Sequence, residues 1–416
     1  MPPEKDGNPL ETLRTAMPKP GFEALGDDSF AFHVPDQGIS LTADRVRRER
    51  HELIAEFAAR CTRPGARVVN GSALSIADLN LSSARARQER AKLLSARANT
   101  QDVDWAGLVE GFAQLVIRAY REGQPATDLR LLERPGPDDT FHVEGFRLPR
   151  RHAAILFGDG GTAKSYTALY LAGKLAERGM GVALFDWELA GEDHRDRLER
   201  LFPEGMPRIV YARCERPLVA EVDRLKRIVR EEQIEYAVFD SVAFACDGAP
   251  ESAEVAGAYF RAVRQIGVGS LHIAHISKAE GADRKPFGST FWHNGARSTW
   301  YVKLAESTAE TGRLILGFFH RKSNLGRLQP PLGFEVVFED GTTEFRRTGV
   351  EDHPDMSGQL SVRQRLVALL RHGAKTPAAL AEELDERPDT VRRTLRRHRE
   401  TFLHLGNDRY GLLSGV

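Results

Sequence analysis

The chain has 416 residues, with 59 Lys plus Arg balanced by 59 Asp plus Glu. That neutrality excludes a globally basic coat for nucleic acid but leaves room for local basic patches. A hydrophobic share of 41% beside 28% charged residues excludes wholesale disorder and supplies core for two or three domains.

The N-terminus, MPPEKDGNPLETLRTAMPKPG, lacks the apolar stretch of a signal peptide, and no run approaches the roughly 18 apolar residues of a membrane span. A cytoplasmic protein with no membrane partner is expected. Cys61, Cys214 and Cys246 are odd in number and too far apart for a CxxC zinc pattern, so they read as small buried hydrophobes.

Residues 1–28, rich in Pro, Gly and charge, read as a loose tail. From 29 to 122 a short strand, Phe30 to Val34, precedes three helical patterns at roughly 42–61, 83–98 and 104–121, the first with Leu53, Ile54 and Phe57 at helical spacing. A small, mostly helical domain is expected there. Gly123, Pro125, Pro135, Gly136 and Pro137 make 123–138 a linker.

From 139 to 350, apolar strand candidates alternate with helical patterns, the signature of a parallel α/β sheet. The strands are Ala153–Phe157, Val182–Trp187, Ala237–Ser241, Leu271–His275, Arg313–His320 and Phe334–Glu339. After a polar hinge at 352–358, residues 359–416 read helix, helix, helix, hairpin. Thr376 with Pro377 opens the second helix, Pro388 the third, and Gly406-Asn407-Asp408 turns the hairpin. That order is the layout of a winged helix.

The first strand runs into Gly158-Asp159-Gly160-Gly161-Thr162-Ala163-Lys164-Ser165-Tyr166 and then a helical pattern. A glycine-rich turn aims backbone amides at phosphate oxygens, and the helix N-terminus adds its dipole. Lys164 answers the β and γ phosphates, and the Ser165 hydroxyl answers Mg²⁺. Ala163 departs from the general pattern, which has glycine there; its methyl is accommodated if its φ is negative.

The second strand ends in Asp186-Trp187-Glu188, beside that loop in a parallel sheet. Hydrolysis needs a group to orient or deprotonate water, for which Glu188 is the candidate and Asp186 the alternative. The strand Tyr236–Phe239 ends in Asp240, suited to hold Mg²⁺ opposite Ser165. His275 closes the next strand, where a γ-phosphate sensor would sit.

These segments resemble the RecA-like ATPases, and more closely the hexameric replicative helicases of the DnaB and plasmid RepA type. GDGGTAKS is similar to Walker A, FDWEL to the strand with the catalytic glutamate, and VFDSVA to Walker B. The stretch from His275 through Asn294-Gly295-Ala296-Arg297 resembles their sensor and DNA-loop region. The resemblance implies ATP and Mg²⁺ as cofactors and a homo-oligomeric ring of about six. It further implies that a neighbour's basic residue completes the site. Those helicases carry Lys-x-Arg after a late strand, whereas Arg321-Lys322-Ser323-Asn324 has asparagine in place of the arginine, which leaves Arg321, Lys322 and Arg327 as finger candidates.

Lys278, Arg284 and Lys285 lie among glycines with Phe287, Phe291 and Trp292 nearby, cations beside stacking surfaces as a single-strand channel needs. Residues 359–416 hold eleven Lys plus Arg against seven Asp plus Glu, a local +4. Arg392, Arg393, Arg396 and Arg397 crowd the third helix, a face suited to duplex DNA. The expected function is a Mg-ATP-dependent, DNA-acting ring motor. An ATP-gated DNA-binding regulator and a recombinase-like filament are the alternatives.

Overall fold

The computed structural model describes residues 21–69, 71–123, 126–133, 139–276, 286–287, 290–305 and 312–413. They divide into two compact units at Arg134 and Pro135.

The first unit is an antiparallel meander of β1 (Gly21–Ala24), β2 (Phe30–Val34), β3 (Ile39–Glu49), β4 (Glu52–Cys61) and β5 (Ala73–Asn80). Helices α1 (Ala84–Ala98) and α2 (Trp105–Glu122) follow and share its core. This corrects the mostly helical expectation: the pattern at 42–61 falls on two paired strands, not a helix. The buried set on β4 is Leu53, Ala55, Phe57, Ala59 and Cys61, a strict period of two. Three alternating positions are alanine or cysteine, so small core residues hide the alternation behind the larger Leu53, Ile54 and Phe57. Both helices lie where the sequence puts them, and a side chain caps each: Ser83 accepts from the Ala86 amide and Asp104 from that of Gly107.

The second unit opens with a hairpin, β6 (Thr140–Val143) and β7 (Phe146–Pro149). Strand–helix alternation follows: β8 (Ala153–Gly158), α3 (Lys164–Ala176), β9 (Val182–Asp186), α4 (Gly191–Leu201), β10 (Ile209–Arg213), α5 (Leu218–Glu231) and β11 (Tyr236–Asp240). Next come α6 (Val242–Ala245), α7 (Ala253–Ile266), β12 (Gly269–His275), α8 (Thr290–Gly295) and β13 (Ser298–Leu304). The antiparallel strands β14 (Arg313–Ser323), β15 (Leu332–Glu339) and β16 (Thr342–Thr348) complete the sheet. Among the described residues its order is β10-β9-β11-β12-β8-β13-β14-β15-β16, parallel from β10 to β13.

One strand, β12, therefore separates the glycine-loop strand β8 from β11 in this α/β core. One face is covered by α5, α6, α7 and α8, the other by α3, α4 and the β6–β7 hairpin. Burial on both faces explains why β8, β9 and β11 are apolar up to their last residue, the feature that made them visible in the sequence.

A short α9 (Pro354–Ser357) leads to α10 (Val362–Arg371), α11 (Pro377–Leu384), α12 (Pro388–Arg397) and the hairpin β17 (Phe402–His404) and β18 (Tyr410–Leu412). Ser361 and Gln364 form a reciprocal capping box on α10, and Thr376 caps α11. Leu366, Leu370, Leu380, Val391, Leu395 and Phe402 give this segment a core of its own.

In the first unit, Phe112 meets the rings of Phe22, Phe32 and Phe57 at centroid distances of 6.3, 6.4 and 6.2 Å. Phe112→Ala is expected to destabilise that unit by about 3–5 kcal/mol, read as a lowered urea midpoint; an unchanged midpoint would show that the ring is not central to the core.

Candidate functional site

The parallel strands place their C-terminal ends side by side. His275 pairs with Gly158 and Asp240 with Asp186, so the sensor candidate abuts the glycine loop and two carboxylates stand on neighbouring strands. Gly158 is required by the fold itself: a Cβ there would lie 2.5 Å from the Val302 carbonyl oxygen of β13. Gly161 takes a positive φ of 74°, while Gly160 has open space around it and no positive φ. That opening lets an anion approach the backbone.

Ala163 corrects the sequence expectation. Its φ is +49° and ψ +32°, left-handed rather than negative, because the chain must turn sharply from the loop into α3. Glycine is the usual residue there for that reason, and alanine holds the turn under strain. The Thr162 hydroxyl donates to the Asp159 carbonyl at 2.8 Å and so braces the loop from inside.

Lys164 is buried. Its ammonium donates to the carbonyls of Gly158 at 3.1 Å and Asp159 at 2.5 Å, and to the Thr162 hydroxyl at 3.4 Å. Burial pulls it down to about 8 against the opposing charges of Asp240, Asp159 and Glu188. A charge held in this way by neutral oxygens is poised for a stronger partner, and a phosphate tail is one.

Asp240 is buried and accepts from the Ser165 hydroxyl. Burial pushes its carboxyl up to about 6, the Ser165 bond opposes this, and the charges of Asp186 and Glu188 add to it. Its Oδ1 is buried without a partner among the described residues. One hydroxyl and one under-satisfied carboxylate are hard oxygen donors, so the pair fits Mg²⁺ whose other positions go to phosphate and water. The Asp240–Ser241 peptide beside them is cis.

The two acids after β9 differ sharply. Asp186 is fully buried, and its carboxylate accepts from the amides of Glu188 at 3.0 Å and Leu189 at 2.8 Å and from His194 Nε2 at 3.1 Å. Glu188 is exposed, and its charge reaches Lys164, Asp240 and His275. His275 is half-buried, and burial, then the Lys164 charge, depress its pKa. The structure thus gathers Lys164, Ser165, Glu188, Asp240 and His275 around one loop and ties Asp186 into the frame beneath it. Tyr166, next along α3, lies against the Phe338 ring and under the Arg197 guanidinium.

The basic candidates scatter. Lys322 is half-buried and donates to the carbonyls of His293, Asn294 and Ala296 at 2.7, 3.0 and 2.7 Å, closing the C-terminus of α8. Arg321 is bonded to Gln359 and stacks near Tyr301 and Phe319. Arg327 is exposed. Lys278, Arg284 and Lys285 lie outside the described residues. Of the aromatics near them, Phe287 and Trp292 are in the core with Tyr259 and Phe260, so they are not stacking surfaces as expected; Phe291 is 52% exposed. Arg392, Arg393, Arg396 and Arg397 are all exposed, while Val391 and Leu395 turn α12's other side inward.

Cys61 and Cys214 are buried and Cys246 half-buried, all free, and burial pushes the thiols of Cys214 and Cys246 up to about 12. Among the described residues no helix is long and apolar enough to cross a membrane.

Residues 124–281 match the family model described as an AAA domain. That span contains the glycine loop, Asp186, Glu188, Asp240 and the strand that ends in His275, and it supports a nucleotide-dependent ATPase site at this sheet edge. No curated protein matches the chain. Among solved structures, the KaiC-like protein PH0186 from the hyperthermophilic archaeon Pyrococcus horikoshii OT3 is 20% identical, covering 51% of this chain and 95% of that one with a TM-score of 0.39. A second solved structure, an isolated ATPase domain, is 12% identical over 48% of this chain and 86% of that one, with a TM-score of 0.40.

Two outcomes follow from the loop. Ala163→Gly relieves about 1–2 kcal/mol of left-handed strain and returns about 0.5–1 kcal/mol of unfolded-chain entropy, so a net gain of roughly 0.5–1 kcal/mol is expected in thermal unfolding; a loss would mean that the methyl packs usefully. Lys164 titrates near 8 in the free protein, and a bound triphosphate raises it. From pH 7 upward, affinity for ATP is therefore flat to about pH 8 and falls by up to about tenfold per unit above it, with proton uptake on binding at pH 9. Calorimetry in two buffers of different ionisation heat measures both, and a flat affinity from pH 7 to 10 would refute the assignment.

Proposed function

We propose that this chain is a Mg-ATP-dependent motor acting on DNA, a helicase-like ring of about six subunits with hydrolysis between neighbours. In this reading Lys164 and the loop of Gly158, Gly160, Gly161, Thr162 and Ala163 hold the phosphates, and Ser165 and Asp240 hold the metal. Glu188 orients and deprotonates the attacking water, and His275 senses the γ-phosphate. The bound Mg²⁺ would neutralise charge on the phosphate oxygens.

The observation that carries the DNA-acting part is the outer face of α12. Arg392, Arg393, Arg396 and Arg397 are exposed together on one strongly amphipathic helix, and none forms an ion pair among the described residues. Four like charges on ten residues repel one another, and a polyanion relieves that repulsion by releasing its counterions. The three helices and hairpin that present this face support a winged-helix reading of the segment.

A neighbour's finger is supported by position. Ser323, at the end of β14, pairs with Ser298, which pairs with Ala154 at the start of β8, four residues of strand before Gly158. At about 3.3 Å per residue the loop beyond Ser323 is more than a side-chain length from its own glycine loop. Lys322 and Arg321 are engaged within the chain, which makes Arg327 the finger we favour.

Replacing Arg392, Arg393, Arg396 and Arg397 together by alanine is expected to lower the salt dependence of duplex binding by about 0.9 in log K per lost contact and leave basal ATP turnover near the parent's. Unchanged affinity and slope would make the face a protein-docking surface. Mixing Lys164→Ala with Arg327→Ala chains is expected to restore part of the turnover that each lacks alone. Co-assembly without any rescue would count against a shared site. Turnover with and without single-stranded DNA, beside the mass of the ATP-bound complex, separates a ring motor from an ATP-gated regulator, whose slow hydrolysis ignores DNA.

A further inference from the structure

The segment from Asp186 to Leu189 is fastened at five of its eight backbone polar atoms. The Asp186 carbonyl accepts from the Cys214 amide at 2.7 Å, and the Trp187 amide donates to the Asp240 carbonyl at 2.7 Å. The amides of Glu188 and Leu189 donate to the two oxygens of the Asp186 carboxylate at 3.0 and 2.8 Å. The Leu189 carbonyl accepts from the Tyr211 hydroxyl at 2.9 Å and from Arg213 Nη1 at 2.5 Å. Trp187 Nε1 donates to the Arg216 carbonyl at 2.7 Å, anchoring the indole below the loop. Glu188 is the one residue of the segment whose side chain is exposed.

The geometry points to a clamp: Asp186, His194, Tyr211 and Arg213 are positioning residues that hold Glu188 at a fixed place beside the phosphate loop. This rests on the reading of Glu188 as the base that activates water. His194 is the keystone of the clamp. It is 4% exposed, sits in the first turn of α4, and its Nε2 donates to Asp186 Oδ2 at 3.1 Å. A carboxylate taken wholly out of water needs donors on both oxygens, and here two amides and one imidazole supply them. Those three donors take three of the roughly four acceptor sites of a carboxylate that is fully buried, so Asp186 is committed to structure and Glu188 to chemistry.

Tyr211 and Arg213 hold the other side from β10, the outermost parallel strand. Gly191 makes room for this arrangement, since a Cβ there would come within 2.9 Å of the Tyr211 ring. The clamp therefore joins three elements, β9, α4 and β10, around one exposed carboxylate. Preorganisation of this kind places the base before substrate arrives, and its loss is felt in the chemical step rather than in binding.

The test uses full-length protein with four variants: Asp186→Asn, His194→Leu, His194→Gln and Tyr211→Phe. Asparagine at 186 turns one acceptor into a donor facing another donor. Leucine at 194 removes the imidazole donor, and glutamine restores an N–H at the position of Nε2. We expect Asp186→Asn and His194→Leu to lower kcat by about 10- to 100-fold with the KM for ATP within about twofold, and His194→Gln to recover most of the loss. Glu188→Gln, measured alongside as a reference, is expected to lower kcat further than Asp186→Asn does; the reverse order would make Asp186 the base and overturn the assignment.

Hydrogen exchange supplies a readout independent of turnover. The amides of residues 188 and 189 should exchange faster in Asp186→Asn and His194→Leu, with residues 153–176 unchanged. Unchanged exchange at 188 and 189 would overturn the clamp whatever the turnover. Faster exchange with unaltered kcat would overturn its positioning role. Faster exchange in a protein whose parent form hydrolyses no ATP would instead sink the ATPase reading. Tyr211→Phe, which deletes a single hydroxyl, keeps the test open if the other variants fail to fold; its kcat is expected to fall by about three- to tenfold, and a kcat equal to the parent's would remove Tyr211 from the clamp.

Discussion

A positive charge taken out of water at the end of β8 sets the terms for the second unit. Among the described residues Lys164 has no carboxylate in direct hydrogen-bonding contact; it rests on two carbonyls and a hydroxyl of its own loop. Such an ion is tolerated only because Asp240, Asp159 and Glu188 stand within electrostatic reach. Those carboxylates are in turn placed by strands that end together, and the strands end together because a parallel sheet with helices on both faces aligns its carboxyl edges. The strain at Ala163 belongs to the same requirement, since the chain must reverse within one residue to present Lys164 at the start of α3.

The legible part of the fold was the part buried on both sides. β8, β9 and β11 are runs of apolar residues with no polar interruption, and each is followed by a charged or glycine-rich break, so strand and site were visible together. β10 is different: its apolar run is only Ile209 to Ala212, set between Arg208 and Arg213, and Ile209, Val210 and Tyr211 are half-buried at the sheet edge. In the first unit the alternation on β4 is carried partly by alanines, which favour helices and so mask the strand. Helix α11 was readable from its cap, because Thr376 satisfies an orphan amide by local chemistry that needs no knowledge of the fold.

The site was legible as a set of residues and less so as a set of roles. Asp186 and Glu188 are two acids two residues apart, and only the surroundings separate them: one carboxylate faces amides and an imidazole in the interior, the other faces outward. Nothing in the sequence marks His194, Tyr211 or Arg213, since each acts through a partner that pattern reading cannot see. The basic residues after β14 show the reverse problem. Arg321, Lys322 and Arg327 are equivalent as charges, yet Lys322 is consumed in closing a helix end, a use decided by the carbonyls that α8 leaves unmatched.

The glycines of the phosphate loop answer to different masters. Gly158 is held by the neighbouring strand, whose carbonyl fills the place of a side chain, so the fold demands it whether or not a ligand ever arrives. Gly160 has empty space around it and an ordinary backbone conformation, and only an incoming anion needs that space. A descendant of this chain that abandoned nucleotide would thus keep Gly158 and be free to drift at Gly160. The order in which the two are lost along a lineage would date the end of its chemistry separately from the decay of its architecture.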